Sequence, residues 1–429
     1  MKRSVFLACF FVAAFALSAQ PRRVAVLAVN DMHAALTQMP KLKFLADSLR
    51  GEYPDLLLLS AGDNTTGNPC NDRSREHPTP MTYLMNRLLF DASALGNHEF
   101  DRGVDHLVEE MRVASFPYIV SNLPMLGFAP DSLEMLAKEC YSRLFRRSYY
   151  GYRIALIGLT VDALPAEEAF ASMPIKRIRA KNDLVILLSH AGFETDTLVA
   201  RQYAGQIDLI VGGHNHLNLP HGWQRDSTAL VVQNDDCLRH ATLVVFRKTA
   251  DGWQHTLQQF ALDRFPSDKP FADYVAALDR DLGFEQVVAC LDQTMTGKRQ
   301  LGEMECKSFL QATQADVALL NIGAIRVDSL LSGRQTLGDI LQVDPFDDEV
   351  VTVDIDSSQL PKLVASCQRS DRGREPVVVG QTVGKGKISL VTTSYVADYL
   401  RAYGLDFKPT GMRNQTLLAD YFARLFPCR

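Results

Sequence analysis

Gly96-Asn97-His98-Glu99-Phe100-Asp101 places an amide, an imidazole and carboxylates on one short stretch. It follows an apolar run at 92–95 and precedes an amphipathic run at 104–111, so it reads as a tight loop between a strand and a helix. Four further stretches of the same character follow apolar runs: Asn30-Asp31-Met32-His33, Gly62-Asp63-Asn64, Ser189-His190 and Gly212-Gly213-His214-Asn215-His216. Ligands of α/β sheets collect at the carboxyl ends of strands. The groups offered there are Asp31, His33, Asp63, Asn97, His190, His214 and His216. Carboxylate, imidazole and amide oxygen together suit a borderline divalent ion such as Zn, Mn, Fe or Co.

Seven ligands are too many for one tetrahedral site and suit two ions roughly 3.5–4 Å apart that share a carboxylate, for which Asp63 is the natural bridge. Such a pair makes hydroxide available near neutral pH and neutralises phosphoryl oxygens, which points to hydrolysis of a phosphoester. His98 is left free to donate to the phosphoryl group or to protonate the leaving oxygen. Asp101, three residues on, is placed to orient it and favour its charged form. A lone histidine after a strand is commonly structural, and a lone Asp or Asn there commonly a helix cap. The ordered set of five stretches is what carries the metal reading. His77, His106, His221, His240 and His255 lack that context and read as ordinary surface or loop residues.

The elements that must position these loops are legible as apolar runs. Residues 24–29, 56–59, 92–95, 116–120, 153–159, 184–188 and 207–211 read as buried strands. The segments 42–49, 81–90 and 104–111 read as helices. Nearly continuous apolar strands alternating with helices indicate an α/β sandwich with covered sheets. Residues 124–147 read as a local insertion. After His216, the runs 229–233, 241–247 and 254–262 read as successive antiparallel strands. Residues 263–282, with Pro266 and Pro270 and then a helical stretch, read as a linker. A second, smaller α+β domain follows over 283–429, with apolar runs at 317–320, 350–355 and 377–379.

The chain has 429 residues, 47% hydrophobic and 22% charged, which suits a globular protein of two or three domains. Residues 1–20 read as an export signal, with Lys2 and Arg3 ahead of a short apolar core and Ala16-Leu17-Ser18-Ala19 at its end. The mature chain, 21–429, is therefore expected outside the cytoplasm, periplasmic or secreted, with no stable membrane span. Net charge is −5, or −7 without Lys2 and Arg3, and gives no basic surface for a nucleic-acid polymer. Of eight cysteines, Cys9 belongs to the signal. The other seven form no C-x-x-C pair, and their odd number leaves at least one thiol unpaired.

Taken in order, these stretches resemble the motifs of the calcineurin-like metallophosphoesterases, and Phe100-Asp101 extends the central one to the form found in exported 5′-nucleotidases. The resemblance runs from about Val24 to Leu262 and implies a two-sheet α/β/β/α sandwich. It also implies a first metal held by Asp31, His33, Asp63 and His216, and a second held by Asp63, Asn97, His190 and His214. His98 with Asp101 resembles that family's catalytic pair. In the second half, Asn321-Ile322-Gly323-Ala324-Ile325-Arg326 resembles the Asn-Gly-Gly-Gly-Ile-Arg motif of the 5′-nucleotidase carboxyl-terminal domain, and Asp344-Pro345-Phe346 its Pro-Phe motif. By that resemblance Asn321 and Arg326 contact a nucleotide and Phe346 stacks on its base. Two motif glycines are replaced by Ile322 and Ala324. The family's later glycine-rich stretch is replaced by Tyr395-Val396-Ala397-Asp398-Tyr399, so Tyr395 or Tyr399 stands in for a second stacking ring. The helix before Asp316 reads as shortened, and Arg299 is aligned with a further family arginine. The expected activity is hydrolysis of nucleoside 5′-monophosphates. The alternatives are a UDP-sugar diphosphatase, a 2′,3′-cyclic nucleotide phosphodiesterase, or a nucleotide-binding or surface-interaction protein without catalysis.

Overall fold

The apolar runs form two five-stranded sheets stacked face to face. The computed structural model describes residues 23–74, 77–123, 129–139, 145–149, 151–160, 173–250, 252–370, 374–381 and 386–428. The expected export signal and Cys140 lie outside the described residues. The first sheet runs β10-β9-β1-β2-β3, with β1 (Arg23–Val29), β2 (Leu57–Ser60) and β3 (Ala92–Ser93) parallel and β9 (His240–Thr249) and β10 (Gly252–Ala261) antiparallel. The second runs β4-β5-β6-β7-β8, with β4 (Phe145–Tyr149) antiparallel to β5 (Tyr152–Leu159). From β5, β6 (Leu184–Ser189), β7 (Leu209–Gly212) and β8 (Leu230–Val232) are parallel.

Alternation along β1 shows why these strands are apolar throughout. Val24, Val26 and Ala28 face the second sheet, packing with Leu156, Ile186 and Val211. Ala25, Leu27 and Val29 face outward, under Leu42 and Leu45 of the helix Met39–Glu52 and Leu84 of the helix Pro80–Leu88. The second sheet is covered in the same way by the helices Ile175–Arg179 and Phe193–Gln202. The central strands of both sheets are therefore dry on both faces, which is the α/β/β/α sandwich.

Four expectations change. Residues 116–120 form no strand; Tyr118 makes a single bridge to Ser93. This stretch passes from one sheet to the other, since Ile119 N donates to Ser93 O (2.8 Å) and Ser121 N to Gly158 O (2.8 Å). The run 229–233 is parallel, not antiparallel, because a long connection returns the chain beside β7 in the same direction, Leu230 opposite Leu209. The helix before Asp316 is not shortened: it spans Lys298–Thr313. Its apolar period is masked by buried Glu305 and Ser308 and by Gly302, where a Cβ would meet the Val377 side chain at 2.9 Å. Part of the expected insertion, β4, instead extends the second sheet.

The segment read as a linker contains the helix Lys269–Asp281, whose Phe271 and Val275 are buried with Phe284 and Leu341 in the core outside the first sheet. Beyond it lies a third five-stranded sheet, in the order Val377–Gly380, Val317–Leu320, Lys387–Thr393, Glu349–Asp356, Lys408–Arg413. The helices Lys298–Thr313 and Asn414–Leu425 contribute buried residues to one core on it, and Leu360–Ser370 and Ser394–Leu400 contribute to another. Cys290 and Cys428 form a disulfide. Among the described residues Cys70, Cys237, Cys306 and Cys367 form no disulfide.

Candidate active site

All five chemistry-bearing loops leave the same edge of the stacked sheets, after β1, β2, β3, β6 and β7. Their backbones are forced into uncommon shapes. Asp31 (φ 47°), His33 (45°), Asp63 (53°), His214 (77°) and His216 (56°) are all left-handed. Such a conformation is costly for non-glycine residues and clusters at functional sites. The motif glycines make the crowding possible. A Cβ on Gly96 would lie 2.1 Å from Asp63 Oδ1, and one on Gly213 would lie 2.9 Å from His190 Nδ1 and 3.1 Å from Asp31 Oδ2.

The side chains converge as three overlapping groups, Asp31 with His33 and His216, Asp31 with Asp63 and His190, and His33 with Asp63 and His98. His216 Nε2 is 3.3 Å from Asp31 Oδ1 and 3.3 Å from His33 Nε2, which in turn is 4.0 Å from Asp63 Oδ2. His190 Nε2 faces Asp63 Oδ2 at 3.0 Å without making a hydrogen bond. His214 Nδ1 lies 3.0 Å from Asn97 Oδ1.

Outer partners fix which ring atoms point inward. His33 Nδ1–H donates to the Thr66 carbonyl (3.2 Å), His190 Nδ1–H to the Ala61 carbonyl (2.8 Å) and His216 Nδ1–H to Asp236 (3.3 Å). In each case Nε2 is left for the interior, the arrangement that metal-ligating histidines use. An orphaned buried Nε2, two facing imidazoles and two buried carboxylates are a donor set that fits divalent ions.

Three outer positions were not singled out by sequence reasoning. Glu99 is buried and accepts from Asp63 N (2.9 Å), Asn64 N (2.7 Å) and Gly96 N (2.6 Å), tying two loops together. Asn30 donates to Asp31 Oδ2 (2.7 Å) and to the Asn234 carbonyl (2.8 Å). Asp236 holds His216 and pairs with Arg239 at 3.3 Å. Glu99 stands inside the central motif. Asp236 follows β8 and carries no local signal.

Electrostatics keep the carboxylates charged. Burial pushes Asp31 up, but the hydrogen bond from His216 and the charges of His190 and His216 outweigh it and hold the carboxyl at about 2. Burial likewise opposes the ionisation of Asp63, yet the charges of His190 and His98 keep it well below the usual range. Burial and the charges of Arg326 and His98 push His33 well down, so it is a neutral imidazole. Burial lowers His190, but the charges of Asp63 and Asp31 raise it to about 10.

Beside the ligands, His98 Nδ1 is 2.7 Å from Asp101 Oδ2, and the charge of Asp63 with this bond raises His98 against the effect of burial. The residues expected to read substrate arrive from the second half at this point. Arg326 Nη2 lies 3.2 Å from His98 Nε2, Phe346 stacks on the His98 ring at 5.8 Å and 21°, and Arg326 Cζ lies 5.0 Å over the Phe346 ring. Asn321 Oδ1 and Arg326 Nε are buried without partners. A cleft of about 380 Å³ opens here, lined by Asp63, Asn97, His98, Asp101, Asn321, Arg326 and Phe346. That size suits a small molecule. Tyr395, 57% exposed, lines it as well. Tyr399 packs with the core around Cys367, so Tyr395 is the ring that faces the cleft. Arg299 stands outside, paired with Glu375 on the surface.

Residues 24–218 match the family model described as calcineurin-like phosphoesterase, and 282–398 match the one described as 5′-nucleotidase, C-terminal domain. The chain is 26% identical to a 5′-nucleotidase of Vibrio cholerae, over 86% of this chain and 80% of that one. It is 31% identical to protein UshA of Salmonella pullorum over 50% of this chain and 46% of the other. Among solved structures, a 5′-nucleotidase precursor from Thermus thermophilus superposes with a TM-score of 0.79 at 21% identity, over 94% of this chain and 97% of that one. That likeness is one of fold.

Proposed function

We propose that this chain, a metal-dependent phosphoric ester hydrolase of the calcineurin-like phosphoesterase family that carries a 5′-nucleotidase C-terminal domain, is an exported enzyme releasing phosphate from nucleoside 5′-monophosphates. The observation that carries this reading is the meeting of His98, Arg326 and Phe346 at one cleft beside the carboxylate–imidazole cluster. A phosphoryl group at the cluster would have its nucleoside directed at the second half.

In this reading Asp31, His33, Asp63 and His216 hold one divalent ion, and Asp63, Asn97, His190 and His214 a second. When bound, the ions supply an acidified water and charge neutralisation for the phosphoryl oxygens. The chain supplies the rest. His98, oriented through Nδ1 by Asp101, carries a proton on Nε2 toward the leaving 5′-oxygen. Arg326 offers its fork to an anionic oxygen, Asn321 Oδ1 accepts from the nucleoside, and Phe346 gives its face to the base, with Tyr395 as the opposing ring. The Cys290–Cys428 disulfide supports export, because such bonds persist in oxidising compartments. No helix among the described residues is long and apolar enough to cross a membrane.

One observation favours a second reading, a nucleotide diphosphate ester such as a UDP-sugar. Arg73, Arg102 and Arg374 line the cleft in addition to Arg326, more cationic groups than one phosphate needs. A phosphate-release panel over nucleoside monophosphates, sugar nucleotides, 2′,3′-cyclic nucleotides and an aryl phosphate tests both. Highest kcat/KM on a monophosphate supports the first reading. Preference for the sugar nucleotide replaces it with the second.

A further inference from the structure

His77 and His106, which read as ordinary surface residues, come together on the flank of the cleft. His106, Glu109 and Glu110 lie on one face of the helix Val104–Val113, at the spacing that brings side chains together. His77 reaches them from the loop after the helix Pro69–Asp72. Its Nε2 is 3.0 Å from Glu109 Oε2, its Nδ1 is bonded to Glu110, and its ring centroid is 4.9 Å from that of His106. One ligand atom each from His77, His106 and Glu109 lie within 4.8 Å of one another.

We propose that His77, His106 and Glu109 bind a single divalent ion of the zinc class, separate from the catalytic cluster. Two imidazoles and a carboxylate are a zinc donor set, and solvent completes the shell at a surface site. The surroundings are built for it. Glu110 is only 3% exposed and is held by Thr79 N and Thr79 Oγ1 (2.9 Å to Oε2) while it receives His77 Nδ1–H. That carboxylate–histidine pair fixes the ring and leaves Nε2 as the ligand atom, as outer partners do at metal sites. Nε2 then faces a carboxylate oxygen across 3.0 Å, a pair that a proton or a shared cation must satisfy. His106 presents its ring to the same point, with its centroid 4.9 Å from that of His77.

The position gives the ion a task. Arg73 and Arg102 line the cleft, and each stands four residues before one of the two histidines. Arg102 Nη2 already donates to the Ser74 carbonyl (3.1 Å). An ion at this site fastens the loop carrying Arg73 to the helix start carrying Arg102, and so fixes that wall of the cleft.

The test is metal content. Chelator-stripped wild type, His106→Ala and Glu109→Gln are dialysed against Zn²⁺ alone and counted by plasma mass spectrometry, with folding checked by circular dichroism. Both variants should hold one equivalent fewer than wild type while keeping near wild-type hydrolysis of an aryl phosphate. Equal zinc in wild type and both folded variants would show a plain ion-pair cluster and overturn the proposal. Loss of zinc that tracks loss of hydrolysis would do the same, because it would trace the missing metal to the catalytic centre. If His106→Ala fails to fold, Glu109→Gln decides alone, since Glu109 is exposed.

Discussion

His98 is the residue at which the chemistry should be separable from the metals. It donates its backbone N–H to Asp63 Oδ1 (2.8 Å), but its ring points to Asp101 and Arg326. His98→Asn should lower turnover on an aryl phosphate by roughly 10²–10⁴-fold with metal content near wild type, measured on the same sample. Loss of metal in that variant would move His98 into the ligand set. Asp236 should behave in the opposite way. It touches His216 and not the reacting atoms, so Asp236→Asn should weaken metal retention by about 10–100-fold, and added metal should restore turnover. Failure of excess metal to rescue would show that Asp236 does more than orient His216. The left-handed backbone at five candidate ligands also dictates how they are best removed. Asparagine adopts that conformation more readily than alanine, so Asp63→Asn disturbs the loop's shape less than Asp63→Ala.

At the scale of elements, the loop carrying Phe346 rests on a buried acidic pair. Glu305, on the helix Lys298–Thr313, is fully buried, and burial together with the charge of Asp344 pushes it well up. Burial raises Asp344 to about 6 from the usual 3.8. A carboxyl raised in the folded state gives stability that is complete below its unfolded value and is lost as pH rises through its folded value. The wild type should therefore lose stability through this pair as pH rises from about 4, past the value of about 6 at Asp344 and on toward the higher one at Glu305. Glu305→Gln should flatten that fall, so the Tm difference between variant and wild type grows from pH 5 to pH 8. A constant difference would show that the pair does not titrate in this range. The elements around the metal cluster were readable because their strands are apolar on both faces and end at glycine-bearing motifs. The helix Lys298–Thr313 was not, because it buries Glu305 and Ser308 and packs Gly302 where an apolar period would show larger residues. The loops that bring the candidate ligands together were legible from residue type and order alone. Asp236 and the His77–His106 cluster were not, since partners brought together by tertiary packing leave no local pattern.

Across the whole molecule, two halves that are distant in sequence share one cleft, and Phe346 tests whether they share a task. Phe346→Ala should reduce kcat/KM on nucleoside monophosphates by about tenfold or more, from lost stacking of ~1–3 kcal/mol. An aryl phosphate should be almost unaffected, because binding energy from the remote base is absent there. Equal losses on the two substrates in a folded protein would remove base recognition from the second half. The disulfide joining Cys290 to Cys428 has its own bearing on how this half fails. Closing a loop of 138 residues restricts the unfolded chain by about 5 kcal/mol, and it also makes the segment a covalent ring. A protease that cuts one exposed turn between the two cysteines releases no fragment: Arg326, Phe346 and Tyr395 stay fastened to the first half through an unbroken path. In the exported setting proposed above, where thiols are scarce and proteases are not, a single nick is a silent event, and only a second cut or a reductant frees the part of the second half that lines the cleft.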